Sequence, residues 1–133
     1  MRFAIPVLGL IGLLALVVTT AWGDGSDGTR TIAIRYSRFS DTMIEVKAGV
    51  PVTFELRNED PILHEWIVGT PDVHARHRTG TEPYHDEVPT EVSLPPYKTR
   101  VTTVTFDAPG DYYFICHLPG HEAYGMSGVI QVR

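Results

Sequence analysis

The segment Tyr113 to Met126 holds the chain's single cysteine, Cys116, followed by His121 five residues on and Met126 five residues beyond that. Thiolate, imidazole and thioether on one short stretch are donors that copper accepts together, because it takes soft sulfur and nitrogen in the same coordination sphere. Pro119-Gly120 can turn the chain back after Cys116, so that His121 and Met126 project toward one point. A fourth donor must come from elsewhere, and His64 is the best candidate. It follows the polar turn Arg57 to Pro61 and shares a strand face with Trp66. Two imidazoles and a thiolate near one plane, with a weak axial Met126, describe a mononuclear copper site for electron transfer. Glu122 or a backbone carbonyl could instead be the fourth donor, with Met126 packing under the loop.

The elements that would position these residues are short strands. Thr31 to Tyr36, Met43 to Lys47, Val50 to Leu56, Leu63 to Val68, Arg100 to Phe106, Asp111 to Cys116 and Gly128 to Val132 alternate or are rich in β-branched and aromatic residues. Val52, Phe54 and Leu56 share one face, and Asp107-Ala108-Pro109-Gly110 reads as a tight turn. Trp66, Phe54, Phe106, Tyr112 and Phe114 read as core or as packing around the metal. No segment after residue 23 has convincing helical periodicity, and the pattern fits an all-β, two-sheet sandwich. The long stretch 69–98 is proline-rich, and a short helix or turn cluster is expected within it.

Residues 1–23 differ from the rest. Arg2 is their only charge, Phe3 to Val18 is almost wholly apolar, and Ala21 and Gly23 suit cleavage before Asp24. This is the layout of a secretory signal peptide, the other reading being an uncleaved membrane anchor. Residues 24–30 then form a linker and 31–133 one domain, a length that suits a single core. Losing Arg2 leaves 10 Lys and Arg against 16 Asp and Glu, a balance that argues against nucleic acid and is compatible with a cationic protein partner. In an exported domain an unpaired cysteine is either a free thiol or a metal ligand.

Three further histidines, His74, His77 and His85, sit in the long stretch with Asp72, Glu82, Asp86 and Glu87. They read either as a solvated polar loop or as a second, exposed metal site. The carboxylates show no pairing suited to acid–base work, and no Ser-His-Asp set or glycine-rich phosphate loop is present, so catalytic residues are not expected and the chain does not read as an enzyme.

With these residues in view, the chain resembles the cupredoxins, the family of plastocyanin, azurin, rusticyanin and auracyanin, over about Thr31 to Arg133. The resemblance is carried by Asn58 to His64 with Glu65-Trp66 after it, by Phe114 to Met126, and by the closing strand Gly128 to Val132. It implies a Greek-key β-sandwich with His64, Cys116 and His121 as equatorial ligands and Met126 as axial ligand of one copper ion cycling between Cu(I) and Cu(II). It further implies that Asn58 ties the first-ligand loop to the cysteine strand. The function implied is that of an exported one-electron carrier, periplasmic or extracellular. It would dock through Leu118, Pro119, Ala123 and Tyr124 onto a redox partner such as a cytochrome or a membrane oxidase or reductase. The alternative is an extracytoplasmic copper-binding or copper-delivery protein. One departure is His117, because Cys-His followed by a second His also ends the multicopper oxidases. This chain lacks their His-x-His pairs and extra domains. His117 is therefore expected to be exposed, or to lie behind the site and point away from Met126.

Overall fold

The computed structural model describes residues 27–80 and 88–133, which form two facing sheets and one helix. The first sheet holds β1 (Thr29–Arg35), β2 (Arg38–Phe39), β4 (Val52–Asn58) and β7 (Thr99–Val104) in the order β2-β1-β4-β7. The second holds β3 (Met43–Val46), β5 (His64–Gly69), β6 (Glu91–Leu94), β8 (Gly110–Ile115) and β9 (Ser127–Val132) in the order β3-β9-β8-β5-β6. Helix α1 (Pro71–Thr79) packs beside β5 and β8. The chain passes back and forth between the sheets, and β1 pairs in parallel with β4 as β3 does with β9.

Period-two alternation builds this core. Val52, Phe54 and Leu56 of β4 are fully buried, while Glu55 and Arg57 point outward and pair at 2.8 Å. Phe54 meets Trp66 of β5 at 4.8 Å between ring centroids, and Phe39 meets Phe114 of β8 edge-on at 5.1 Å. These rings join the sheets, and burying each contributes roughly 1.5–3 kcal/mol. Gly128 lies opposite Phe114 in the β8–β9 register, where an added Cβ would come within 2.1 Å of the Phe114 ring. A side chain there would evict the ring from the core beneath Cys116.

The stretch 69–98 holds the expected short helix, α1. Three elements differ from the sequence expectation. Strand β1 begins at Thr29, so Thr29 and Arg30 belong to it rather than to the linker. The two-residue strand β2 and the four-residue strand β6 were not foreseen, and Val92 and Leu94 of β6 are buried against the core. Helix α1 opens with Pro71 at its first positions and Asp72 in its first turn, and Arg76, His77 and Arg78 occupy the last turn, each suited to the helix dipole. The expected signal peptide and residues 24–26 lie outside the described residues. Among those described, no helix is long and apolar enough to cross a bilayer.

Candidate metal centre

One end of the second sheet gathers the expected donors. His64 opens β5 opposite Leu94, and Cys116 comes immediately after β8, which runs antiparallel to β5. Residues 117–126 then form a loop braced by its own backbone. His121 N–H donates to the Leu118 carbonyl at 3.0 Å, Met126 N–H to that of His121 at 3.1 Å, and Cys116 N–H to that of Met126 at 3.2 Å. Gly120 and Gly125 take positive φ of 84° and 87°, turning the loop where a side chain would strain it.

The loop brings Cys116 Sγ to 3.3 Å from His121 Nδ1, and His121 Nδ1 to 3.2 Å from His64 Nδ1. Among the described residues these three are the one group of three or more His, Cys, Asp or Glu whose donor atoms converge. Cys116, His64 and Met126 are fully buried, while His121 is half-buried and forms the edge of the cluster toward solvent. The structure thus brings His64, Cys116 and His121 together, with Met126 tied to Cys116 through the backbone.

The chemistry of this donor set suits copper. Burial holds the Cys116 thiol protonated up to about 11, opposed by the N–H groups of Leu118 and Glu65, the latter donating to Sγ at 3.4 Å. Without a metal the sulfur is a shielded thiol, protected from oxidation. A bound cation displaces the proton and meets a thiolate that already has hydrogen-bond donors. Burial also lowers the pKa of His64, against the raising effect of Asp60, so the imidazole is neutral as a ligand must be. Two imidazoles, one thiolate and a nearby thioether fit the trigonal type of copper site.

Asn58 is second to the ligands, but not where the resemblance put it. Its side-chain amide donates to the carbonyls of Ile62 at 2.8 Å, Leu94 at 2.8 Å and Pro95 at 3.0 Å, and its Oδ1 accepts from Asp60 N–H at 3.0 Å. It ties the first-ligand loop to the end of β6 and the turn after it rather than to the cysteine strand, because β6, a strand not foreseen, pairs with β5 on the side away from β8. Replacing Asn58 with alanine is expected to cost on the order of 2 kcal/mol by stranding buried carbonyls and the Asp60 N–H. The denaturant midpoint of the metal-free protein reads this loss, and an unchanged midpoint would refute it.

Of the two positions expected for His117, the structure shows the one behind the site: its Nε2 lies 2.9 Å from His74 Nδ1, and its ring stacks on that of His77 at 5.4 Å. Successive residues leaving a strand project to opposite sides, so Cys116 faces inward and His117 faces α1. His74 is itself buried and donates through Nε2 to the Tyr113 carbonyl at 3.0 Å, while His77 donates through Nδ1 to that of Val73 at 2.9 Å. These two are therefore packing residues of a helix face rather than members of a solvated loop. Arg78 clamps Glu122 with bonds of 3.0 and 2.5 Å, fastening α1 to the loop beside His121. His85, Glu82, Asp86 and Glu87 lie outside the described residues.

Asp60 was not singled out in the sequence. It is buried, and its carboxylate lies 2.9 Å from His64 Nε2. Burial pushes its pKa up, but the N–H groups of Ser37 and Tyr36 and the His64 ring outweigh this and hold it low. The only trace in the sequence is an acid four residues before a histidine.

Comparison with known proteins agrees with this geometry. Residues 8–132 match the cupredoxin-like domain. The copper-resistant cuproprotein CopI of Pseudomonas aeruginosa is 30% identical over 71% of this chain and 70% of its own. CopI of Rubrivivax gelatinosus is 29% identical over 84% of this chain and 71% of its own. Among solved structures, dithionite-reduced auracyanin from Roseiflexus castenholzii superposes with a TM-score of 0.68 at 25% identity, covering 82% of this chain and 99% of that one. Auracyanin A, a blue copper protein of Chloroflexus aurantiacus, gives 0.63 at 24% identity over 79% of this chain and 98% of its own.

Proposed function

The chain belongs to the cupredoxin-like domain family, and from that premise we propose that it is an extracytoplasmic mononuclear blue-copper protein carrying single electrons between redox partners. The observation that carries this reading is the convergence of the Cys116 sulfur with the Nδ1 atoms of His64 and His121 inside a braced, largely buried site. His64, Cys116, His121 and Met126 would hold the ion. A copper ion so held supplies a one-electron couple. The protein's part is to keep the donors in place in both oxidation states, which the loop hydrogen bonds and the fully buried ligands serve, and to exclude water from the thiolate.

His121 is the ligand nearest solvent, and apolar side chains ring that end. Ile62 and Leu63 precede His64 and are exposed, as are Pro119, Ala123 and Tyr124 on the loop. A small apolar face around an exposed ligand edge suits brief docking of a redox partner, such as a cytochrome or a membrane oxidase or reductase. The apolar run before Asp24 supports export to the periplasm or cell exterior.

A second reading has its own support: two relatives carry names that denote copper resistance. In that case the same site serves copper handling rather than electron delivery. The deciding experiment loads the domain with Cu(II) and follows its visible absorption through a cycle of ascorbate and a mild oxidant. An intense band that vanishes and returns with the ion retained supports electron carriage. Loss of the ion to a Cu(I) chelator on each reduction supports handling, and no thiolate band at all rejects the site.

A further inference from the structure

We propose that Asp60 is a positioning residue for the metal centre: its buried carboxylate fixes which nitrogen of His64 faces the metal and strengthens that nitrogen as a donor to Cu(II). The inference rests on the copper reading above but begins from contacts that exist without any metal. A carboxylate with 7% exposure is costly unless each oxygen is satisfied. Here Oδ1 accepts from Tyr36 N–H at 2.7 Å, and Oδ2 accepts from Ser37 N–H at 2.7 Å and faces His64 Nε2 at 2.9 Å.

The cradle is built into the backbone. Tyr36 and Ser37, the two residues between β1 and β2, both adopt left-handed φ, at 53° and 52°, which side-chain-bearing residues seldom do. Consecutive residues in such a turn aim their N–H groups at one spot, making a concave anion site. Tyr36 and Ser37 form the two-residue loop of the β1–β2 hairpin, whose twist calls for left-handed φ at both positions, and this loop turns both N–H groups onto the Asp60 carboxylate. From the other side, Asn58 holds the Asp60 N–H and Tyr97 N–H donates to the Asp60 carbonyl at 3.2 Å.

The consequence follows by counting protons. An ionised Asp60 only accepts, so His64 must carry its proton on Nε2, which leaves the lone pair on Nδ1. That atom is the one 3.2 Å from His121 Nδ1. A carboxylate behind a ligating imidazole raises its basicity, and this favours the more highly charged ion. Asp60 therefore holds the reduction potential down.

Two measurements test this. Nitrogen-15 NMR of the wild-type, metal-free protein should show His64 protonated at Nε2; protonation at Nδ1 overturns the proposal. In copper-loaded Asp60→Asn, the amide oxygen can still accept from His64 but the charge is gone, so the thiolate band should persist. The preference for Cu(II) over Cu(I) should fall about 10- to 100-fold, a rise in potential of about 59 mV per tenfold for a one-electron couple. An unchanged potential in the folded variant overturns the role assigned to the charge. Should the variant fail to fold, the wild-type NMR decides the tautomer. Failure of the wild type to form a thiolate–copper band sinks the copper reading instead, a result the metal-free NMR keeps separate.

Discussion

Replacing Cys116 with serine abolishes the visible charge-transfer band and the reversible one-electron couple of the copper-loaded protein while leaving the sandwich folded. Serine is close to cysteine in shape, and the Glu65 N–H that donates to the sulfur at 3.4 Å can donate to a hydroxyl, so the loss of fold stability should be only about 1 kcal/mol. The metal loses far more. No other sulfur donor is available in the equatorial set, and the loss of a thiolate should exceed the roughly 10–100-fold fall that removing an outer hydrogen-bond partner produces. Isothermal titration with Cu(II), beside a thermal melt of the metal-free variant, separates the two effects. A variant that kept an intense band and a reversible couple would refute the thiolate assignment.

The second large effect is acid sensitivity of the metal-free fold. Burial lowers the pKa of His64, His74 and His117, and that of His117 falls to about 4 under burial and the neighbouring His74. In the unfolded chain each titrates near the ordinary value of about 6.5. Below that pH the unfolded state takes up protons that the folded state refuses, so stability is fully present above about pH 7 and declines as pH drops through 6.5. The decline levels off below the folded-state value, near 4 for His117. His117 alone accounts for about 3 kcal/mol over this window at 1.36 kcal/mol per unit. Urea midpoints between pH 7.5 and 4.5 should therefore fall steeply for the wild type and less steeply for His117→Gln. A flat profile in the wild type would show that the imidazoles are not buried in neutral form.

The sequence made some parts of this molecule legible and hid others for identifiable reasons. Strand β4 announces itself because Val52, Phe54 and Leu56 alternate with polar residues over its whole length. The cluster of His64, Cys116 and His121 could be read in part because Cys116 and His121 lie five residues apart on one loop, where spacing in sequence is spacing in space. Strand β6 is only four residues long amid prolines, and its burial depends on pairing with β5, which no local pattern reports. His74 and His77 looked solvated because neighbouring acids suggested a polar loop. Their place against His117 requires knowing first that Thr70-Pro71-Asp72 begins a helix and then which way Cys116-His117 faces. Asp60 escaped notice because its role depends on a backbone turn more than twenty residues earlier.

The position of β9 has a bearing on how the molecule is made. It sits inside its sheet, between β3 and β8, and the loop carrying His121 and Met126 leads directly into it. A chain emerging N-terminus first cannot complete this sheet, or cover Phe114 and Ile130, until β9 has arrived. Every earlier intermediate lacks a central strand, and closing it requires contacts far apart in sequence, a slow step in assembly. The donor cluster is thus brought together late by construction, only after nearly all of the described domain is available, so metal capture would follow folding rather than guide it.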